Sequence, residues 1–152
     1  MTDEQKDLLS KELCARLPYG LKIKTNYFQT ATLISLRKNI SLDSGKDLVI
    51  TFDISGKDEP FQMEERWGTP ISEIKPYLFP MSSMTEEQRA EYESLCIKET
   101  SEYSDLYGII FAKDHYYDTI ESIDYLYKNH IDVRGLIPMG LAIDATGLGI
   151  YR

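Results

Sequence analysis

The sequence predicts an α+β fold: an antiparallel β-meander of three to four strands, with an N-terminal helix and two to three C-terminal helices packed on one face. Three observations point there. A capped helical stripe opens the chain, the hydrophobic period changes to two between residues 21 and 66, and a helical period returns after Gly68-Thr69-Pro70. The 152 residues are expected to form one domain spanning 1–152. A chain of that length buries roughly 70% of its unfolded surface, so a disulfide or metal staple is not required.

Thr2 and Gln5 stand at capping-box spacing, and Asp3 and Glu4 occupy the positive end of the helix they open. Leu9, Leu13 and Leu17 give its stripe and Pro18-Tyr19-Gly20 stops it, which places the helix at about residues 3–16. Leu21, Ile23 and Tyr27 then face one way while Lys22, Lys24 and Asn26 face the other. Ile34 and Leu36 sit among Thr32 and Lys38, and Leu48, Ile50, Phe52 and Ile54 alternate with Val49, Thr51 and Asp53. Asp43-Ser44-Gly45-Lys46 reads as a turn, and FQMEER (61–66) as the last and weakest strand. Such one-sided alternation implies a sheet with one face solvated and the other covered by helices.

Past the proline, ISEIKPYLF (71–79) reads as a short helix broken at Pro76. In MSSMTEEQRAEYESLCIKE (81–99), Thr85 is an N-cap with Gln88 in the capping-box position and Glu86 and Glu87 in the first turn. Its inward edge is Met84, Gln88, Tyr92, Leu95 and Cys96. Residues 99–106 are polar and read as a loop, and LYGIIFA (106–112) as a further strand. Asp118 and Glu121 are expected to cap a final helix with the stripe Ile120, Ile123, Leu126 and Tyr127.

The formal charge is −8 and it is uneven. Residues 1–84 hold 11 basic against 12 acidic side chains, and residues 85–152 hold 6 against 13. A negative field repels phosphate backbones, so direct nucleic-acid binding is not expected, and anionic membrane surfaces are disfavoured on the same grounds. The apolar runs are too short to cross a bilayer. Cys14 and Cys96 lack a second Cys or His at metal-ligand spacing, and MTDEQKDLLSKE is not a cleavable apolar leader. They read as reduced thiols of a cytoplasmic protein, with no metal and no cofactor. Phosphate-loop, dinucleotide and GxSxG patterns are lacking, so no catalytic residues are assigned.

The stretch KNHIDVRGLIPMG (128–140) most resembles a site. It sets His130, Asp132 and Arg134 at every second position, the candidate ligand-binding residues of a small enzyme or small-ligand binder. At about 100° per residue His130 falls inside the apolar stripe and at a helix end. The structural reading therefore leads, with Asp132 neutralising Arg134 across the exit turn.

Seven of the eleven tyrosines lie between residues 92 and 127. Tyr supplies large amphipathic contact area at low entropic cost. Glu91, Glu93, Tyr116, Tyr117 and Asp124 are accordingly the candidate surface for a protein partner. An acidic face of this kind also suits a DNA mimic that blocks a nucleic-acid-binding protein.

The blocks LCARLPYG (13–20), IKPYLFPMSSMTEEQ (74–88) and YLYKNHIDVRGLIPMGLAIDA (125–145) resemble small uncharacterised proteins of gut Bacteroidetes, often carried by their phages and mobile elements. The resemblance implies a short intracellular accessory protein and brings no assigned catalytic role. It marks Tyr19, 80–85 and 130–141 as shared framework, with 21–66 and 99–112 as variable parts. The leading expectation is an accessory protein that binds a protein partner through its acidic, Tyr-rich C-terminal half.

Overall fold

The computed structural model describes residues 1–38, 48–53, 71–104, 107 and 110–151. They form an α+β fold with helices α1 (Asp3–Arg16), α2 (Glu86–Leu95) and α3 (Ile120–Lys128). Strands β1 (Lys22–Lys24), β2 (Ala31–Lys38), β3 (Leu48–Asp53), β4 (Lys75–Leu78) and β7 (Ile143–Asp144) make one sheet, ordered β3-β2-β1-β4-β7. β5 (Ile97–Ser104) and β6 (Ile110–Tyr117) make a separate two-stranded ribbon. The larger sheet is mixed: β7 runs parallel to β4, and the other pairings are antiparallel. No helix among the described residues is long and apolar enough to cross a membrane.

Both caps expected of α1 form. Gln5 N donates to Thr2 Oγ1 at 3.2 Å and Thr2 N to Gln5 Oε1 at 3.0 Å. The helix runs to Arg16, and Pro18 and left-handed Gly20 (φ 66°) turn the chain into β1. Leu9 and Leu13 then pack with Leu21, Ile23, Ala31, Leu33, Ile74, Leu78 and Leu136 in the main core. A smaller cluster joins Met84, Leu126 and Ile131 with Phe79, Tyr92 and Ile123.

Several strand details depart from the period-two reading. Tyr27 is 67% exposed. β1 ends at Lys24, and Thr25 Oγ1 accepts from Tyr27 N and Phe28 N, so the turn swings Phe28 back to the core in its place. Along β2 the register shifts between Leu33 and Ser35. Ala31 and Leu33 share the buried face, Ile34 is 47% exposed, and the irregularity after Leu33 brings Leu36 back to the core.

Residues 71–79 are a short 3₁₀ turn (Ile71–Glu73) followed by a strand, not a broken helix. Pro76 pairs with Ile23 of β1, while β7 begins opposite Tyr77. Pro76 thus has a strand neighbour on one side only, where its missing N–H is tolerated. Residues 99–106 also depart from expectation, since 97–104 are β5, and β6 extends the expected further strand to Tyr117. Helix α3 is capped by Thr119, whose Oγ1 accepts from Ser122 N at 3.1 Å, and not by Asp118. Its apolar stripe turns accordingly: Ile120 is 86% exposed, and Ser122 and Leu126 are buried. The Asp43–Lys46 turn, Ile54 and the 61–66 strand lie outside the described residues.

Candidate functional site

Helix α3 ends in a left-handed residue that is not glycine. His130 N donates to Tyr127 O at 3.0 Å and Ile131 N to Leu126 O at 2.9 Å, the paired bonds of a Schellman termination. His130 occupies the position with positive φ (57°), where an L side chain costs on the order of 1 kcal/mol. Surrounding contacts hold it there. The imidazole stacks on Tyr151 with centroids 4.0 Å apart, and Phe79 N donates to its carbonyl at 2.9 Å. Asp132 N donates in turn to Phe79 O at 2.8 Å, so residues 130–132 run parallel to the end of β4.

The His130 ring is 7% exposed, and its Nδ1 is buried without a partner among the described residues. Burial first, then the charges of Arg16 and Lys22, pull its pKa down to about 4. At neutral pH the imidazole is therefore uncharged.

The structure does not bring Asp132 and Arg134 to this ring as a triad. Both carboxylate oxygens of buried Asp132 accept backbone protons at 2.8 Å, from Leu136 N and Ile137 N. They close the turn after α3, as an N-cap closes a helix start. Arg134 is 61% exposed and sits 3.6 Å from Glu12 Oε1, so its ion-pair partner is Glu12 rather than Asp132. His130 is indeed buried, but through the left-handed turn that ends α3 and not as a further position of its helical stripe.

Sequence reasoning missed the pair beneath this turn. Glu12 and Arg16 are 3% and 0% exposed, and Arg16 Nη1 donates to the Glu12 carboxylate. Arg16 Nη2 donates to Ile131 O at 2.6 Å, and its guanidinium lies 4.5 Å above the Tyr127 ring centroid. The Tyr127 hydroxyl completes the cluster by donating to Glu12 Oε1 at 3.2 Å. Burial and the Glu12 charge raise the Tyr127 pKa. The signal was present: positions 12 and 16 fall one turn from Leu9 and Leu13, inside the apolar stripe.

Beside this clasp lies a cleft of about 480 Å³, lined by Tyr19, Phe79, Ser83, Lys128, His130 and Tyr151 among others. Its polar groups are largely engaged. Tyr151 Oη donates to Tyr77 O at 2.6 Å, Ser83 Oγ to Pro80 O at 2.8 Å, and Tyr19 Oη to Asp124. Among the described residues, no group of three or more His, Cys, Asp or Glu is placed to hold a metal ion.

The residues expected to meet a partner fall into two settings. Glu91 and Asp124 are exposed on α2 and α3, and each carboxylate accepts a tyrosine hydroxyl, from Tyr125 and Tyr19 respectively. Glu93 is half-buried on α2. Tyr116 and Tyr117 are 43% and 51% exposed at the base of the ribbon, on opposite faces because they are consecutive in β6.

Residues 99–104, expected as loop, are most of strand β5 of the ribbon. Eight residue pairs run without a register shift from Ile97↔Tyr117 to Ser104↔Ile110. Among the described residues neither strand pairs with the larger sheet. Every described side chain on it is exposed except half-buried His115. Ile97 and Ile110 are 57% and 70% exposed. Lys98 Nζ lies 2.8 Å from Asp114 Oδ2, Thr100 Oγ1 donates to Asp114 Oδ1 at 2.8 Å, and Ser101 Oγ meets His115 Nε2 at 3.1 Å. The Lys98 and Thr100 bonds lower the Asp114 pKa. A two-stranded ribbon of this kind is marginal in water unless something packs against it.

No protein-family model, curated protein or solved structure matches the chain.

Proposed function

We propose that this chain is an interaction module that binds a protein partner through its acidic, Tyr-bearing C-terminal half, with the β5–β6 ribbon as the arm it presents. One observation carries the reading: an eight-rung ribbon offers both faces and both edges outside the main sheet. Ordered strands with little burial of their own gain most from a second surface, because the entropy of ordering is already met. Tyr116, Tyr117 and Ile97 give that surface its apolar contact area. Lys98 and Lys113 interleave the acids of the ribbon, which favours a protein partner over imitation of a phosphate backbone. A cytoplasmic accessory role on a phage or mobile element fits this reading and the sequence resemblance.

The test is site-specific photo-crosslinking in cells, with benzoylphenylalanine at Tyr117 and, as control, at Lys11 on α1. An adduct of defined mass at position 117 and none at position 11 is expected. No adduct at 117, or equal adducts at both positions, would overturn the reading.

A further inference from the structure

We infer that the outer edge of β5 pairs with β5 of a second copy of this chain, antiparallel about a two-fold axis at Thr100, to give a continuous four-stranded sheet. The inference rests on the ribbon being an association element, as proposed above, and it names one occupant of that element.

Among the described residues β5 and β6 pair only with each other, so each strand carries one row of N–H and C=O groups without a strand neighbour. Such an edge is a template for another strand unless it is blunted. Proline, bulges, register breaks and charged side chains are the usual means, and this ladder has only the last, in Lys98, Glu99 and Glu102 of β5. Strand addition along an eight-residue edge is therefore open on backbone grounds.

Side chains then decide which edge. Two identical antiparallel strands in one sheet are related by a two-fold axis perpendicular to it. Directly opposed residues must share a face, so one residue lies on the axis opposite its own copy. For β6 the central choices set Lys113 against Lys113 or Asp114 against Asp114, like charges directly opposed. For β5 the choice is different. With Thr100 on the axis, Lys98 faces Glu102 of the second copy, Glu102 faces Lys98, and Glu99 faces Ser101. Threonine opposite threonine and lysine opposite glutamate are both favourable cross-strand pairs. Moving the axis to Glu99 opposes two carboxylates, and moving it to Ser101 loses both lysine–glutamate pairs. Charge selects one edge and one register.

The shape of the chain permits it. α2 leads directly into β5 and β6 leads directly into α3, so both helices leave the same end of the ribbon. Antiparallel pairing places the two sets of helices at opposite ends, roughly 27 Å apart for eight residues at about 3.4 Å each.

Two measurements on the full-length protein test this. In a Cys14→Ser, Cys96→Ser background, Thr100→Cys should form a disulfide-linked dimer under mild oxidation, and Asp114→Cys should not. In sedimentation, Lys98→Glu and Glu102→Lys should each lose self-association about tenfold, since both lysine–glutamate pairs become repulsive. An equimolar mixture of these two variants should recover it as a mixed dimer, because each glutamate then meets a lysine. Circular dichroism confirms that each variant keeps its fold. A wild-type monomer with no Thr100 disulfide, a disulfide at Asp114 instead, or a mixture that associates no better than its parts would overturn the inference. A monomer that still crosslinks another protein at position 117 sinks this inference alone, and leaves the interaction module standing.

Discussion

The buried guanidinium of Arg16, at the end of the first helix, donates to the carbonyl oxygen of Ile131 at 2.6 Å across 115 residues of sequence. That bond, with the Glu12 carboxylate and the Tyr127 ring, ties α1 to the exit of α3. Removing Arg16 leaves the buried Glu12 carboxylate with only the exposed Arg134 at 3.6 Å and the Tyr127 hydroxyl at 3.2 Å. Arg16→Met should therefore destabilise the protein by about 3 kcal/mol in urea unfolding. The double variant Glu12→Leu, Arg16→Met should recover part of that loss, since it leaves no orphan charge. A double variant as unstable as Arg16→Met alone would contradict this account.

His130 should invert the ordinary ranking of alanine and glycine. With φ at 57°, His130→Ala suffers both the lost stack on Tyr151 and the left-handed penalty, whereas His130→Gly suffers the first alone. His130→Gly should be the more stable of the two by about 1 kcal/mol. Thermal unfolding of the pair decides it.

Acid should act through the same ring. The folded protein keeps His130 uncharged down to about pH 4, while the unfolded chain protonates it near 6.5. Protons therefore favour the unfolded chain. The His130 contribution is complete above about pH 6.5, falls as the pH drops towards 4, and is level below that. The total loss is about 3 kcal/mol. His130→Asn, which tolerates the left-handed conformation, should remove this part of the slope. Urea midpoints of both proteins at pH 7 and pH 4.5 provide the comparison.

Asp132 should behave as a cap rather than as an acid. Its two oxygens serve Leu136 N and Ile137 N at 2.8 Å each. Asp132→Ala should cost about 2–3 kcal/mol, with Asp132→Asn in between because an amide oxygen replaces only one acceptor. Chemical denaturation at pH 7 tests the order, and an Asn variant as unstable as Ala would argue against the paired bonds.

Local signals carried the helices well and the strands less well. Thr2/Gln5 and Thr85/Gln88 mark real capping boxes, because a cap is written within four residues. The β5–β6 ribbon was hidden for a plain reason: with neither face buried, no alternation of apolar residues develops. β4 was obscured because three successive buried positions, Pro76, Tyr77 and Leu78, have no period of two. At the candidate site, burial of His130 was legible and its partners were not. Asp132 turned inward to its own loop, and Glu12 and Arg16 arrived from the other end of the chain, which no local spacing reveals.

Leu9 and Leu13 share their core with Leu136, Leu141 and Ala142, and Arg16 waits for Ile131. On the ribosome, the segment that completes that core leaves after its partners. At roughly 5–20 residues per second, the 115 residues between Arg16 and Ile131 take about 6–23 s to make. Through that interval the nascent α1 holds a lysine-free apolar stripe and an arginine with no carbonyl to receive it, a surface for chaperones rather than for the sheet.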